Sequence, residues 1–121
     1  MRFVLISKDQ EIIAAATEAF ERFGTLQVFG EWRDALEACP GADLMFVDML
    51  ATLEEPHKIA GYEKFAQAKM TDKGAKDVKL VLIGAPADYE IDFLVGWPDF
   101  LFAQLPRPVT SKMLLRMSTY V

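Results

Sequence analysis

The feature that most constrains this chain is the run Leu44-Met45-Phe46-Val47, four consecutive apolar residues followed at once by Asp48. A strand with one wet face alternates apolar and polar positions. A continuous apolar run between polar residues reads instead as a strand buried on both faces, the usual state in a parallel sheet. An acidic residue at the exit of such a strand stands where open α/β sheets place their ligands, outside the carboxyl ends of the strands. Asp48 is therefore the residue to explain. Phe3-Val4-Leu5-Ile6 and residues 78–83, apolar but for Lys79, are runs of the same kind, and residues 26–29 and 100–105 read as two further strands.

Between the runs the period changes. Ile13, Ala16, Phe20 and Phe23 recur at helical spacing over residues 10–23, with Asp9 or Ser7 as cap, Glu11 in the first turn and Gly24 as the stop. Residues 31–39 form a second helix with Trp32, Ala35 and Leu36 inward, ended by Pro40-Gly41. A loop over residues 51–56 precedes a third helix over 57–70, whose inward stripe is Ile59, Tyr62, Phe65 and Ala66. A polar connector follows at 71–77. A short fourth helix is read over 88–95, and a fifth starts at Thr110 with Met113, Leu114 and Met117 inward. Strands alternating with helices predict an α/β fold, a doubly wound five-stranded parallel sheet with helices on both faces, in a single domain over residues 1–121.

At 121 residues the chain can bury a core without disulfides or metals, and at 52% hydrophobic and 26% charged it reads as folded rather than disordered. A formal net charge of -5 argues against direct nucleic-acid binding, which needs clustered Lys and Arg. Cys39, the single cysteine, forms neither an internal disulfide nor a cysteine metal site and reads as a small core residue. With no oxidising signature the cytoplasm is the default location, and the first apolar run is too short for a signal peptide or a membrane span.

Four strand ends carry the chemistry. The first ends in Lys8-Asp9. The third carries Asp43-Leu44-Met45-Phe46-Val47-Asp48, a D-L-x-x-x-D pattern. The fourth ends in Gly84-Ala85, and the fifth in Arg107-Pro108-Val109 with Leu114 beyond. With five β-α units of this size, the whole chain resembles the receiver domain of two-component response regulators. That resemblance implies the flavodoxin-like strand order 2-1-3-4-5. It makes Asp48 the phosphoacceptor, and Arg107 the cation at the position of the family's lysine. It implies Mg2+ held by Asp9, Asp48 and the backbone carbonyl of Leu50. A carboxylate can attack phosphorus to form an acyl phosphate, and Mg2+ would offset the phosphoryl charge using few carboxylates and several waters.

The sequence also departs from the family pattern. Lys8 replaces the first acid of the usual pair, and is either a solvated lysine or a charge partner of Asp48 that weakens Mg2+ binding. Gly84 replaces a Thr or Ser, so the switching hydroxyl is missing. Gln104 stands where many receivers place an aromatic switch residue. Gly61-Tyr62-Glu63 resembles a displaced D-G-x-E remnant, after an insertion that includes Glu54, Glu55 and Pro56. Asp9 can cap the first helix, bind metal or do both, and Arg107 can form a generic salt bridge or contact phosphate. Leu105-Pro106 is a rival for the Lys-Pro position. His57, in the insertion, is expected to be exposed.

The implied role is that of a signalling module rather than an enzyme. A histidine kinase or phosphotransfer protein would donate phosphate to Asp48, and the face of the fourth helix, fifth strand and fifth helix would report it to a downstream protein partner, a homodimer being a further option. The apolar set Tyr89, Ile91, Phe93, Leu94, Val95 and Trp97 suits such a face. The alternative is a pseudo-receiver, a phosphorylation-independent interaction module. A flavin-binding protein on the same fold is disfavoured, because Ser7-Lys8-Asp9-Gln10 is no Gly-rich phosphate loop.

Overall fold

The computed structural model describes residues 1–90 and 102–120. The elements are β1 (Arg2–Ile6), α1 (Gln10–Phe20), β2 (Thr25–Phe29), α2 (Trp32–Ala38), β3 (Leu44–Asp48), α3 (Met49–Thr52), α4 (Ala60–Thr71), β4 (Leu80–Ile83), β5 (Ala103–Leu105) and α5 (Ser111–Ser118). The five strands form one parallel sheet in the order β2-β1-β3-β4-β5. This is the flavodoxin-like order, and it puts the run that ends in Asp48 at the centre, between β1 and β4.

The apolar runs are buried on both faces because successive side chains of a strand point to opposite sides. Val4, Ile6, Met45, Val47, Leu80 and Leu82 face one way, onto Trp32 and Leu36 of α2 and Tyr62 and Phe65 of α4. Phe3, Leu5, Leu44, Phe46, Val81 and Ile83 face the other way, onto Ile12, Ala16 and Phe20 of α1 and Leu114 of α5. Aromatic contacts tie α1 to the sheet on one face and α2 to α4 on the other. Phe20 stacks on Phe3 at 4.0 Å between ring centroids, and Trp32 meets Phe65 edge-on at 5.7 Å.

Several boundaries differ from the sequence expectation. Helix α1 stops at Phe20, and the next three residues form a turn that leaves Phe23 exposed; Ile12 rather than Ile13 carries the stripe inward. Gly24 sits at φ 140, and a Cβ there would lie 2.1 Å from the Met1 carbonyl oxygen, so both conformation and space call for glycine. Residues 49–52, inside the stretch read as strand end and loop, wind into the single turn α3, capped by Asp48. Helix α4 begins at Ala60, three residues later than expected, and buries Lys69 along with Tyr62, Phe65 and Ala66. Gly61 explains how α4 comes so close to α3, since a Cβ there would lie 2.3 Å from the Thr52 carbonyl oxygen and 2.7 Å from the Glu54 nitrogen. Asp88 lies in a turn rather than at a helix start, and β5 begins at Ala103. Tyr89 and Glu90 are not helical either; the rest of the expected fourth helix from Ile91 on, with Trp97, and Phe100 and Leu101 of the expected fifth strand lie outside the described residues. Cys39 is fully buried, and burial raises its thiol. Among the described residues no helix is long and apolar enough to cross a membrane.

Candidate functional site

Asp48 closes β3 and caps α3 in one step. Its backbone is extended, and Oδ1 accepts a hydrogen bond from the Leu50 N–H at 3.1 Å. The side chain is almost completely buried at 3% exposure, a position a carboxylate occupies only when paired and hydrogen-bonded. Two further donors meet that need. The Ser7 hydroxyl donates to Oδ2 at 2.9 Å, and the Arg107 Nη2 donates to Oδ1.

Asp9 is brought alongside by the end of β1. It caps α1, Oδ1 accepting from the Glu11 N–H at 2.9 Å, while Oδ2 accepts from Arg107 Nη1 at 3.1 Å. Ser7 joins the two acids, for its Oγ also accepts the Asp9 N–H at 3.1 Å. Arg107 arrives from the loop after β5 and is itself held: Nε donates to the Gly84 carbonyl oxygen at 2.9 Å. One guanidinium thus bridges Asp9, Asp48 and the end of β4. Its planar fork suits this bidentate task, where a lysine would offer a point charge.

The expected residues Asp9, Asp48 and Arg107 therefore meet at one place. Arg107, rather than Leu105, faces Asp48; Leu105 is buried as the last residue of β5. Gly84 contributes no side chain, yet its carbonyl orients Arg107. Lys8 takes the first of its two expected roles, that of a solvated lysine. It points away from Asp48 and pairs with Glu31 at 3.6 Å, both side chains more than half exposed. Lys8 therefore brings no charge to the Asp48 pocket; the cation between the acids is Arg107. Ser7 is the participant that sequence reading gave only a capping role. In an extended chain Ser7 and Asp9 point one way and Lys8 the other, and that period of two was the available signal. His57 is exposed as expected, and its ring stacks on Tyr89 at 4.4 Å. Gln104 is exposed on β5.

The donor set can be tested against the implied Mg2+. Every carboxylate oxygen of Asp9 and Asp48 already accepts a hydrogen bond, one on each acid from Arg107. Among the described residues no group of three or more His, Cys, Asp or Glu is arranged to hold a metal ion. Mg2+ demands near-octahedral oxygen coordination and gives up its waters reluctantly. The residues as arranged do not fit it, since the ion would have to displace the guanidinium from both acids.

No protein-family model matches the chain, and no curated protein matches it either. Solved structures do. A CheY-like response regulator receiver domain protein from Methanospirillum hungatei JF-1 superposes with a TM-score of 0.73 at 9% identity, over 98% of this chain and 91% of that one. A CheY-like receiver domain from Methylobacillus flagellatus gives 0.70 at 18% identity, over 99% and 97%. The chemotaxis response regulator CheY4 of Vibrio cholerae gives 0.70 at 12% identity, over 98% and 96%. The chain has the receiver fold. Within it, the bridged acids occupy the carboxyl ends of β1 and β3, the edge at which such open sheets bind ligands. The receiver fold also brings β5 and α5 together into a shallow groove of about 220 Å3 lined by Leu105, Thr110, Lys112, Met113, Arg116 and Met117.

Proposed function

We propose that this chain is a signalling receiver whose state is set at Asp48. A histidine kinase or phosphotransfer protein donates a phosphoryl group to the Asp48 carboxylate, and the β5–α5 side of the fold presents the result to a downstream protein. The observation that carries this reading is the seat of Asp48: a buried carboxylate at the exit of the central strand, under a guanidinium that also holds Asp9. An oxygen of Asp48 attacks phosphorus, and Arg107 turns from carboxylate to phosphoryl oxygen, for which its fork is equally suited. Breaking the Arg107 bridge alters the loop between β5 and α5, which links the acid to the partner face.

Amide NMR spectra recorded with and without beryllofluoride test this. Shifts that spread from Asp48 to Arg107 and α5, and vanish in Asp48→Asn, support it. Shifts absent at every beryllofluoride concentration overturn it.

A second reading is a phosphorylation-independent interaction module. It is favoured by Gly84, which supplies no hydroxyl, and by the closed bridge from Arg107 to both acids. Partner binding that survives Asp48→Asn unchanged would favour this reading over the first.

A further inference from the structure

We infer that Arg107 takes the place of a divalent cation at this site, so that Asp48 binds beryllofluoride, and accepts a phosphoryl group, without Mg2+; the inference rests on the phosphoacceptor reading of Asp48. The positive charge between Asp9 and Asp48 is already supplied by the Arg107 guanidinium. It is also fixed in position from outside the acid pair, because Nε is bound to the Gly84 carbonyl oxygen at 2.9 Å. Arg107 is only 13% exposed, so its charge is weakly screened and acts at short range.

The surroundings of Arg107 are asymmetric. On one flank a hollow of about 380 Å3 is lined by Asp9, Glu11 and Arg107 among others. On the other, a hollow of about 460 Å3 is lined by Gly84, Ala85, Ala87, Gln104, Leu105, Pro106 and Arg107, with no acidic side chain among them. Asp48 lines neither hollow, and the second is the side from which Arg107 can meet an anion without an opposing carboxylate. Gly84 lines this hollow and adds no side chain to it; a Cβ there would meet the Gln104 side chain at 3.5 Å, an ordinary van der Waals contact. Lys8 does not share this role, since it faces Glu31.

With an acyl phosphate such as acetyl phosphate as donor, the step balances without a metal. An Asp48 oxygen forms a new bond to phosphorus, the phosphorus–oxygen bond to acetate breaks, and acetate leaves with the electron pair. Arg107 moves from the Asp48 carboxylate onto the phosphoryl oxygens, keeping Asp9 as its second partner.

The test is beryllofluoride binding to the full chain, followed by 19F NMR in chelator and again in excess Mg2+. The wild type is expected to form the adduct in chelator with an unchanged dissociation constant. Arg107→Gln, which keeps much of the side-chain volume, is expected to weaken the chelator-condition adduct by about 10- to 100-fold, the loss of a charge-assisted hydrogen bond. Its circular dichroism reports whether the fold is retained, and Arg107→Lys serves in its place if it is not, with a smaller weakening expected. A wild-type adduct that forms only with Mg2+ overturns the inference and leaves the phosphoacceptor reading intact. No adduct under either condition removes both.

Discussion

Arg107 and Asp48 stand 59 residues apart in sequence, and the Arg107 Nη2 donates to the Asp48 Oδ1 at the carboxyl edge of the sheet. The same guanidinium reaches Asp9 and the Gly84 carbonyl, so one side chain ties together the ends of β1, β3 and β4. A residue in that position is structural and chemical at once.

Removing it should show in stability. Arg107→Ala leaves Asp48 buried with a carboxylate that has lost its only charged partner among the described contacts. Breaking a buried pair from one side costs about 3 kcal/mol. Urea unfolding should show a lower midpoint with an unchanged slope. A variant as stable as the wild type would mean that Arg107 does not hold the site.

Lys8 should be silent by the same measurement. Its partner Glu31 and its own ammonium are both exposed, and such pairs are worth less than about 0.5 kcal/mol. Lys8→Ala should match the wild type in both urea midpoint and beryllofluoride affinity. A clear loss of affinity would place Lys8 at the site after all.

Two glycines separate a forbidden approach from an ordinary contact. Gly61→Ala drives a Cβ into the backbone of Thr52 and Glu54 and should destabilise by about 2 kcal/mol, the cost of overpacking. Gly84→Ala has no contact closer than 3.5 Å and should stay within about 0.5 kcal/mol of the wild type. Thermal unfolding of the two variants side by side checks the contrast.

Burial of Tyr62 beneath α4 sets an alkaline limit. Its phenol, ordinarily at 10.0, is pushed up to about 12 by desolvation. Over that interval the unfolded chain has lost the proton and the folded chain keeps it. Stability is therefore complete below the unfolded value and falls as pH rises toward the folded one, by about 3 kcal/mol in all. Tyr62→Phe should remove this alkaline loss. Urea midpoints at about pH 8 and about pH 11 would reveal it, once other alkaline effects common to both proteins are subtracted.

Much of this was legible in the sequence, for a physical reason. The central strands of a parallel sheet are apolar at every position, so Leu44 to Val47 and Phe3 to Ile6 announced β3 and β1, and Asp48 stood out against them. The stripe Ile59, Tyr62, Phe65 and Ala66 was legible through its helical period. That period also points at Lys69, whose charge hid it: the ammonium is buried, donates to the Val78 carbonyl at 2.6 Å, and is lowered by desolvation. Helix ends were less legible. The turn that exposes Phe23 is decided by the close approach of Gly24 to Met1, a contact between segments that no local pattern encodes. At the site, the strand end pointed to Asp48 and the resemblance to receivers to Asp9 and Arg107, but side-chain direction decided the roles of Ser7 and Lys8. Which acids a single guanidinium would bridge depends on three strand ends meeting in space.

The central claim is that Asp48 accepts a phosphoryl group. The most direct measurement is the intact mass of the protein after incubation with acetyl phosphate, with Asp48→Asn treated in parallel. The account predicts a gain of one phosphoryl group in the wild type, removed by hydroxylamine and absent from Asp48→Asn. An unmodified wild type under conditions that phosphorylate a known receiver, or an equal gain in Asp48→Asn, would contradict it.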